Sequence, residues 1–116
     1  MTSALRYVDC PGVSDPDLFA LEVMGDSMLP EYRPGDVVVC SPWAPVRDGD
    51  NAWVIFISPW AGALRELLKR VFFEPGGGVR LQPLNPRYSP LILVAGRVLR
   101  MVRVVARMPP EAVRSA

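Results

Sequence analysis

The 116-residue sequence contains no histidine, a single lysine and only two cysteines. Each shortage removes a class of chemistry. Without histidine, neither a Ser-His-Asp triad nor a Cys-His pair can form. Cys10 and Cys40 are too few for a disulfide scaffold, and there is no histidine to complete a Cys/His metal set. They read as structural thiols, and neither metal nor cofactor is expected. No apolar run reaches the eighteen or so residues that a membrane helix needs; the longest, "AWVIFI" (52–57), is strand-sized. The start, "MTSALRYVDC", lacks the basic-then-apolar layout of a signal peptide. A cytoplasmic protein without membrane contact is expected.

What is present points to a small β domain. Half of the chain is hydrophobic, enough for one core, while thirteen prolines and nine glycines cut it into short segments. "LFALEV" (18–23) alternates, with Phe19, Leu21 and Val23 on one face; "DVVVC" (36–40) and "AWVIFIS" (52–58) follow turn signals. "GVRLQPL" (78–84) and "LILVAGRVLRMVRVVARM" (91–108) add more strand material. The expected organisation is an N-terminal arm (1–17), one domain (18–108) and a frayed tail (109–116).

Charge is divided unevenly. Residues 1–60 carry three arginines against nine carboxylates (3 − 9 = −6), and residues 61–116 carry ten basic groups against three (10 − 3 = +7). Such a split fits a nucleic-acid surface, two halves packed on each other, or two chains doing so.

The lone lysine lies in "AGALRELLKRVFF" (61–73), whose first half holds good helix formers and whose second half favours a strand. If residues 67–73 are extended, Leu67, Lys69, Val71 and Phe73 share a face. A lysine in an apolar row is driven towards its neutral form. Neutral lysine is the known substitute for histidine beside a nucleophilic serine. Bringing its pKa from about 10.4 to roughly 7–8 takes about 4 kcal/mol of differential stabilisation. Lys69 is the only residue of this chain that could serve.

A serine with suitable surroundings lies in "VMGDSMLPEYRPGD" (23–36). Gly25 lets a substrate backbone approach. A turn of helix starting at Ser27 would leave N–H groups free to stabilise an oxyanion.

This stretch resembles the nucleophile motif of the LexA-like serine–lysine autopeptidases, the group of LexA, phage repressor C-terminal domains and UmuD. "LKRV" around Lys69, 42 residues after Ser27 (69 − 27 = 42), is similar to the family's general-base segment. "LQPLNPRYSPL" (81–91) resembles its Asn-Pro-x-Tyr segment, and "AGRVL" (95–99) its late Gly-Arg-Val strand. The serine motif alone is also similar to signal peptidases, whose membrane anchor has no counterpart here. The resemblance implies a mostly β, LexA/signal-peptidase-like fold of twisted antiparallel sheets with little helix. It implies a Ser27/Lys69 catalytic pair, with the backbone N–H groups of Asp26 and Ser27 as oxyanion donors. Gly25, Met28 and Pro30 would shape the cleft, while Gly35-Asp36 and Asn85-Pro86 would shape turns. The bound peptide would lie as an added, extended strand. The family's partners imply a homodimer and a RecA-type filament, and the apolar strand "GRVLRMVRVV" reads as an exposed edge that invites pairing.

Two departures matter. No helix-turn-helix precedes the domain, so no direct DNA binding by this chain is expected. The family's Ala-Gly or Cys-Gly cleavage site has only an imitation in "DCPG" (9–12), where Pro11 intervenes; Ala61-Gly62 and Ala95-Gly96 would belong to a hairpin and a strand. Self-cleavage of this chain is therefore not expected. Three readings remain: a serine peptidase of a repressor or SOS-type regulator; an idle dimerisation or docking module; and a small β-barrel binding nucleic acid through its arginines. Arg97, Arg100 and Arg103 recur every third residue, which on a strand scatters them over both faces and weakens the last.

Overall fold

The β-branched runs between proline and glycine turns become eight strands in the computed structural model, which describes residues 2–7, 10, 12, 13 and 15–108. They are β1 (Thr2–Tyr7), β2 (Phe19–Val23), β3 (Val37–Ser41), β4 (Asn51–Ile57), β5 (Leu64–Phe73), β6 (Gly78–Gln82), β7 (Leu91–Val94) and β8 (Val98–Met108). A single 3-10 turn, Ala95–Arg97, is the only helix among the described residues. All neighbours run antiparallel, in the order β1-β2-β3-β8-β4-β5-β6-β7. This is the mostly β architecture that the turn-rich sequence implies. The segment expected as an arm supplies β1, which pairs with β2. The tail expected to fray, 109–116, and Pro11 lie outside the described residues.

β4 explains why one run could be apolar at nearly every position. Its Trp53 enters a core with Phe19, Leu21, Val38, Leu68 and Val102. Its Ala52, Val54 and Phe56 enter a second core with Val71, Val79, Leu81 and Leu93. A strand buried on both faces loses the polar half of its alternation. β2, covered on its Phe19-Leu21-Val23 face by the first core, keeps Glu22 exposed.

The late strand corrects two expectations. β8 lies inside the strand order, not at an end of the sheet. Residues 98–103 pair with β4 and 103–108 with β3, Arg103 with both Ala52 and Ser41, so each half has a ladder on one side only among the described residues. The sheet ends are β1 and β7. Ala95-Gly96 is not in a strand either, because the 3-10 turn there separates β7 from β8. The helix formers at 61–67 do not make a helix, since Leu64–Arg70 form a seven-pair ladder with β4. That ladder gives the inward-facing backbone groups of residues 64–70 partners on β4 and outweighs the local helix propensity.

Three ion pairs join first-half carboxylates to second-half arginines: Arg70–Glu31 at 2.5 Å, Arg103–Asp50 at 3.4 Å and Arg107–Asp36 at 4.0 Å. The charge split is thus used within the chain, as the reading of two halves packed on each other requires.

Candidate active site

β2 ends at Val23, and Gly25 turns the chain with a φ of +74°, a left-handed conformation that residues with a Cβ rarely adopt. Nothing lies within 4 Å of where a Cβ would stand, so Gly25 is set by backbone conformation and faces open space. A helix-like turn follows, closed by Leu29 N–H to Asp26 C=O (3.2 Å) and Tyr32 N–H to Met28 C=O (3.0 Å). Its first residue is Ser27. No acceptor among the described residues takes the backbone N–H of Asp26 or Ser27, so both donors remain available.

Lys69 comes from the middle of β5, on the face of the half-buried Leu67 and the buried Val71. It is 8% exposed. Its Nζ lies 2.8 Å from Ser27 Oγ and 3.1 Å from Leu68 C=O. Among the described residues no carboxylate forms an ion pair with the amine, and burial lowers the Lys69 pKa below the ordinary lysine value. The pair opens on a cleft of about 420 Å³ lined by Met24, Gly25, Asp26, Leu67, Pro83 and Tyr88.

Two sets of polar contacts hold the serine turn. From the β6–β7 loop, the N–H groups of Leu84 and Asn85 both donate to Ser27 C=O at 3.0 Å. The Asn85 carboxamide donates to Asp26 C=O at 3.0 Å, and Tyr88 OH donates to Asp26 Oδ1 at 2.5 Å. That bond is the main cause raising the Tyr88 pKa. On the other side, Glu31 pairs with Arg70, the neighbour of Lys69, and Asn51 ties Tyr32 OH (2.9 Å) to Arg70 Nε (3.1 Å). The serine turn is therefore held on one side by the β6–β7 loop and tied on the other to the strand bearing the lysine. A polar depression of about 530 Å³ beside this network is lined by Arg70, Arg103 and Arg107, each already paired with a carboxylate.

Of the residues singled out in the sequence, Gly25, Asp26, Ser27 and Lys69 meet at this cleft. Met28 and Pro30 do not. Met28 is 2% exposed within the first core, where it anchors the turn from beneath. Pro30 follows a cis peptide bond and lines a separate depression with Arg33, Asp36 and Arg107. Gly35 and Asp36 close the next turn, with Gly35 N–H on Val23 C=O. Asn85 makes its turn through Arg87 N–H but also grips the serine segment. The Glu31–Asn51–Arg70 network has no motif that announces it.

The fold is thus a twisted antiparallel β domain that seats a serine against a buried lysine. The chain belongs to the Peptidase S24-like family, whose model matches residues 3–108. It is 32% identical over 95 residues to "Prophage repressor CohE" of Escherichia coli (strain K12), covering 81% of this chain and 40% of that protein. It is 37% identical over 89 residues to "LexA repressor" of Anaeromyxobacter sp. (strain Fw109-5), covering 76% and 35% respectively. A shorter match, 44% over 59 residues, is to "Repressor protein C" of Rhizobium phage 16-3, covering 49% and 22%. The chain thus spans less than half the length of these relatives, and all three are repressors by name. Among the described residues no helix is long and apolar enough to cross a membrane.

Proposed function

We propose that this domain is a serine peptidase in which Ser27 attacks a peptide carbonyl and Lys69 is the general base. The observation that carries this reading is the 2.8 Å approach of a buried, uncompensated lysine amine to a serine hydroxyl. Neutral Lys69 takes the hydroxyl proton as Oγ bonds to the carbonyl carbon. The oxygen becomes an oxyanion, met by the N–H groups of Asp26 and Ser27. Collapse breaks the C–N bond, and the Lys69 ammonium returns its proton to the leaving amine. Water, deprotonated by Lys69, then attacks the acyl ester, frees the acid and restores Ser27. The substrate lies as an extended strand along the cleft.

The names of the relatives favour a place in a repressor-type regulator, cut either within its own chain or by another copy. On the same footing we assign homodimerisation, a filament of the RecA type as trigger, and DNA contact left to other segments. Incubation with an extended peptide carrying an Ala-Gly bond, from pH 7 to about 10, tests the chemistry. Cleavage should rise with pH as Lys69 loses its proton. Ser27→Ala should abolish it, and so should Lys69→Arg, because guanidinium stays protonated. Equal cleavage by wild type and Lys69→Arg would refute the lysine base. An intact peptide at every pH would favour a docking module that does not use the pair.

A further inference from the structure

In a trans peptide the C=O and the following N–H point in opposite directions within one plane. Whatever grips the Asp26 carbonyl therefore aims the Ser27 N–H. Asn85 Nδ2 is bonded to that carbonyl at 3.0 Å from a residue 59 positions away, on a side chain within a residue only 8% exposed. Its Oδ1 is fixed by Arg87 N–H at 3.0 Å, which leaves the carboxamide one orientation, Nδ2 towards Asp26. The adjoining plane is held as well, since Ser27 C=O accepts from the backbone of Leu84 and Asn85. The Ser27 N–H lies between two clamped carbonyls and is itself unclaimed among the described residues.

We infer that Asn85 is a positioning residue: its carboxamide fixes the plane between Asp26 and Ser27 and thereby aims the Ser27 N–H as an oxyanion donor. Among the described residues the Asn85 side chain is hydrogen-bonded to neither Ser27 Oγ nor Lys69, so its polar reach to the pair runs through the backbone. This rests on the peptidase reading for its use, but the clamp can be measured without any cleavage. The side chain acts on the 26–27 plane, whereas the two loop N–H bonds to Ser27 C=O do not depend on what residue 85 carries. Side-chain replacement should therefore release one plane and leave the loop docked.

Asn85→Asp replaces the donor by a carboxylate oxygen that repels the Asp26 carbonyl, while keeping the acceptor for Arg87 N–H. Asn85→Ser keeps an acceptor near the backbone but is too short to reach Asp26, and serves should the aspartate variant not fold. Two readouts apply to each. The first is amide NMR: the Asp26 and Ser27 N–H signals should shift and broaden in the variants, with β4 and β5 signals unchanged. The second compares a peptide boronate, whose serine adduct carries the tetrahedral oxygen, with the same peptide as an amide. Affinity for the boronate should fall about tenfold or more, and affinity for the amide should change less than about twofold. Cleavage should lose kcat with KM held. Unchanged Asp26 and Ser27 signals would overturn the clamp. Altered signals with unchanged boronate affinity would overturn its role in aiming the donor. A wild type that binds no boronate while the NMR effect appears would instead sink the peptidase reading, and with it the catalytic use of a clamp that stands.

Discussion

The two ends of the β4–β5 hairpin are made from similar material and held in different ways. At the tip, "SPWAGA" (58–63) turns the chain with Gly62 at a φ of +66°. Its bonds are local, Ser58 N–H to Ala63 C=O and Gly62 N–H to Ser58 C=O, apart from Arg97 reaching Ser58 C=O at 3.3 Å. Trp60 and Leu64 stand 77% and 66% exposed. At the base, Lys69 and Arg70 face a turn with its own left-handed glycine, Gly25. There, bonds to residues 84, 85 and 88, and the network through Glu31 and Asn51, fix the backbone. Turn residues alone do not mark a site. Long-range polar contacts onto carbonyls and side chains of the turn set the serine turn apart, because they hold Ser27 against the entropy that a loop ordinarily keeps.

The contrast is broken most severely at Lys69. Lys69→Met should reduce cleavage by roughly a thousandfold or more, while the folded state gains from losing a desolvated charge. Burial lowers the folded-state pKa. Between that value and the unfolded one, the unfolded chain holds a proton that the folded chain has released, so wild-type stability rises with pH across the window. Lys69→Met should lack that rise. Cys40 works in the opposite sense, since burial pushes its thiol up to about 12 from 9.0. The folded chain then keeps a proton that the unfolded one loses, and stability falls above pH 9. Subtracting the variant's denaturation profile from that of the wild type cancels Cys40. A flat difference would mean that Lys69 is not desolvated in the folded protein.

Matched glycine substitutions test the contrast next. Gly25→Ala and Gly62→Ala each place a Cβ at positive φ with nothing within 4 Å, so strain rather than collision sets the cost, about 1–2 kcal/mol in both. Only Gly25→Ala should also lower cleavage, on the order of tenfold or more, because relief of its strain moves Ser27. Urea denaturation and the peptide assay read the two effects separately. Equal loss of cleavage in both variants would show that the tip and the serine turn act as one unit.

These differences were unequally legible in the sequence. The absence of histidine singled out Lys69, and the Gly-Asp-Ser-Met stretch singled out Ser27, because both signals are local in composition. Alternation in 18–23 and the turn signals gave the strands for the same reason. The pairing order was not legible. The apolar stretch 91–108 reads as continuous, yet three residues of 3-10 turn send β7 to the edge and β8 between β3 and β4. Nor could the grip of Asn85 be read, since a turn-forming asparagine looks the same whether or not its amide also spans 59 positions. Met28 misled for a related reason: adjacent to the serine in sequence, it points into the core.

The smallest effect belongs to the tip. Trp60→Ser removes the most exposed of the large apolar side chains in the described residues, and the backbone bond of Trp60 N–H to Ser58 Oγ (3.4 Å) does not involve the indole. With little burial to lose, stability should move by less than about 0.5 kcal/mol. Cleavage of the extended peptide should stay within about twofold, since Trp60 does not line the cleft. The denaturation midpoint and separate kcat and KM values check this. A severalfold rise in KM with kcat unchanged would show that a bound peptide runs from the cleft to the hairpin tip. In that event the tip is a substrate contact held ready by exposure, and looseness at that end of the hairpin is part of recognition.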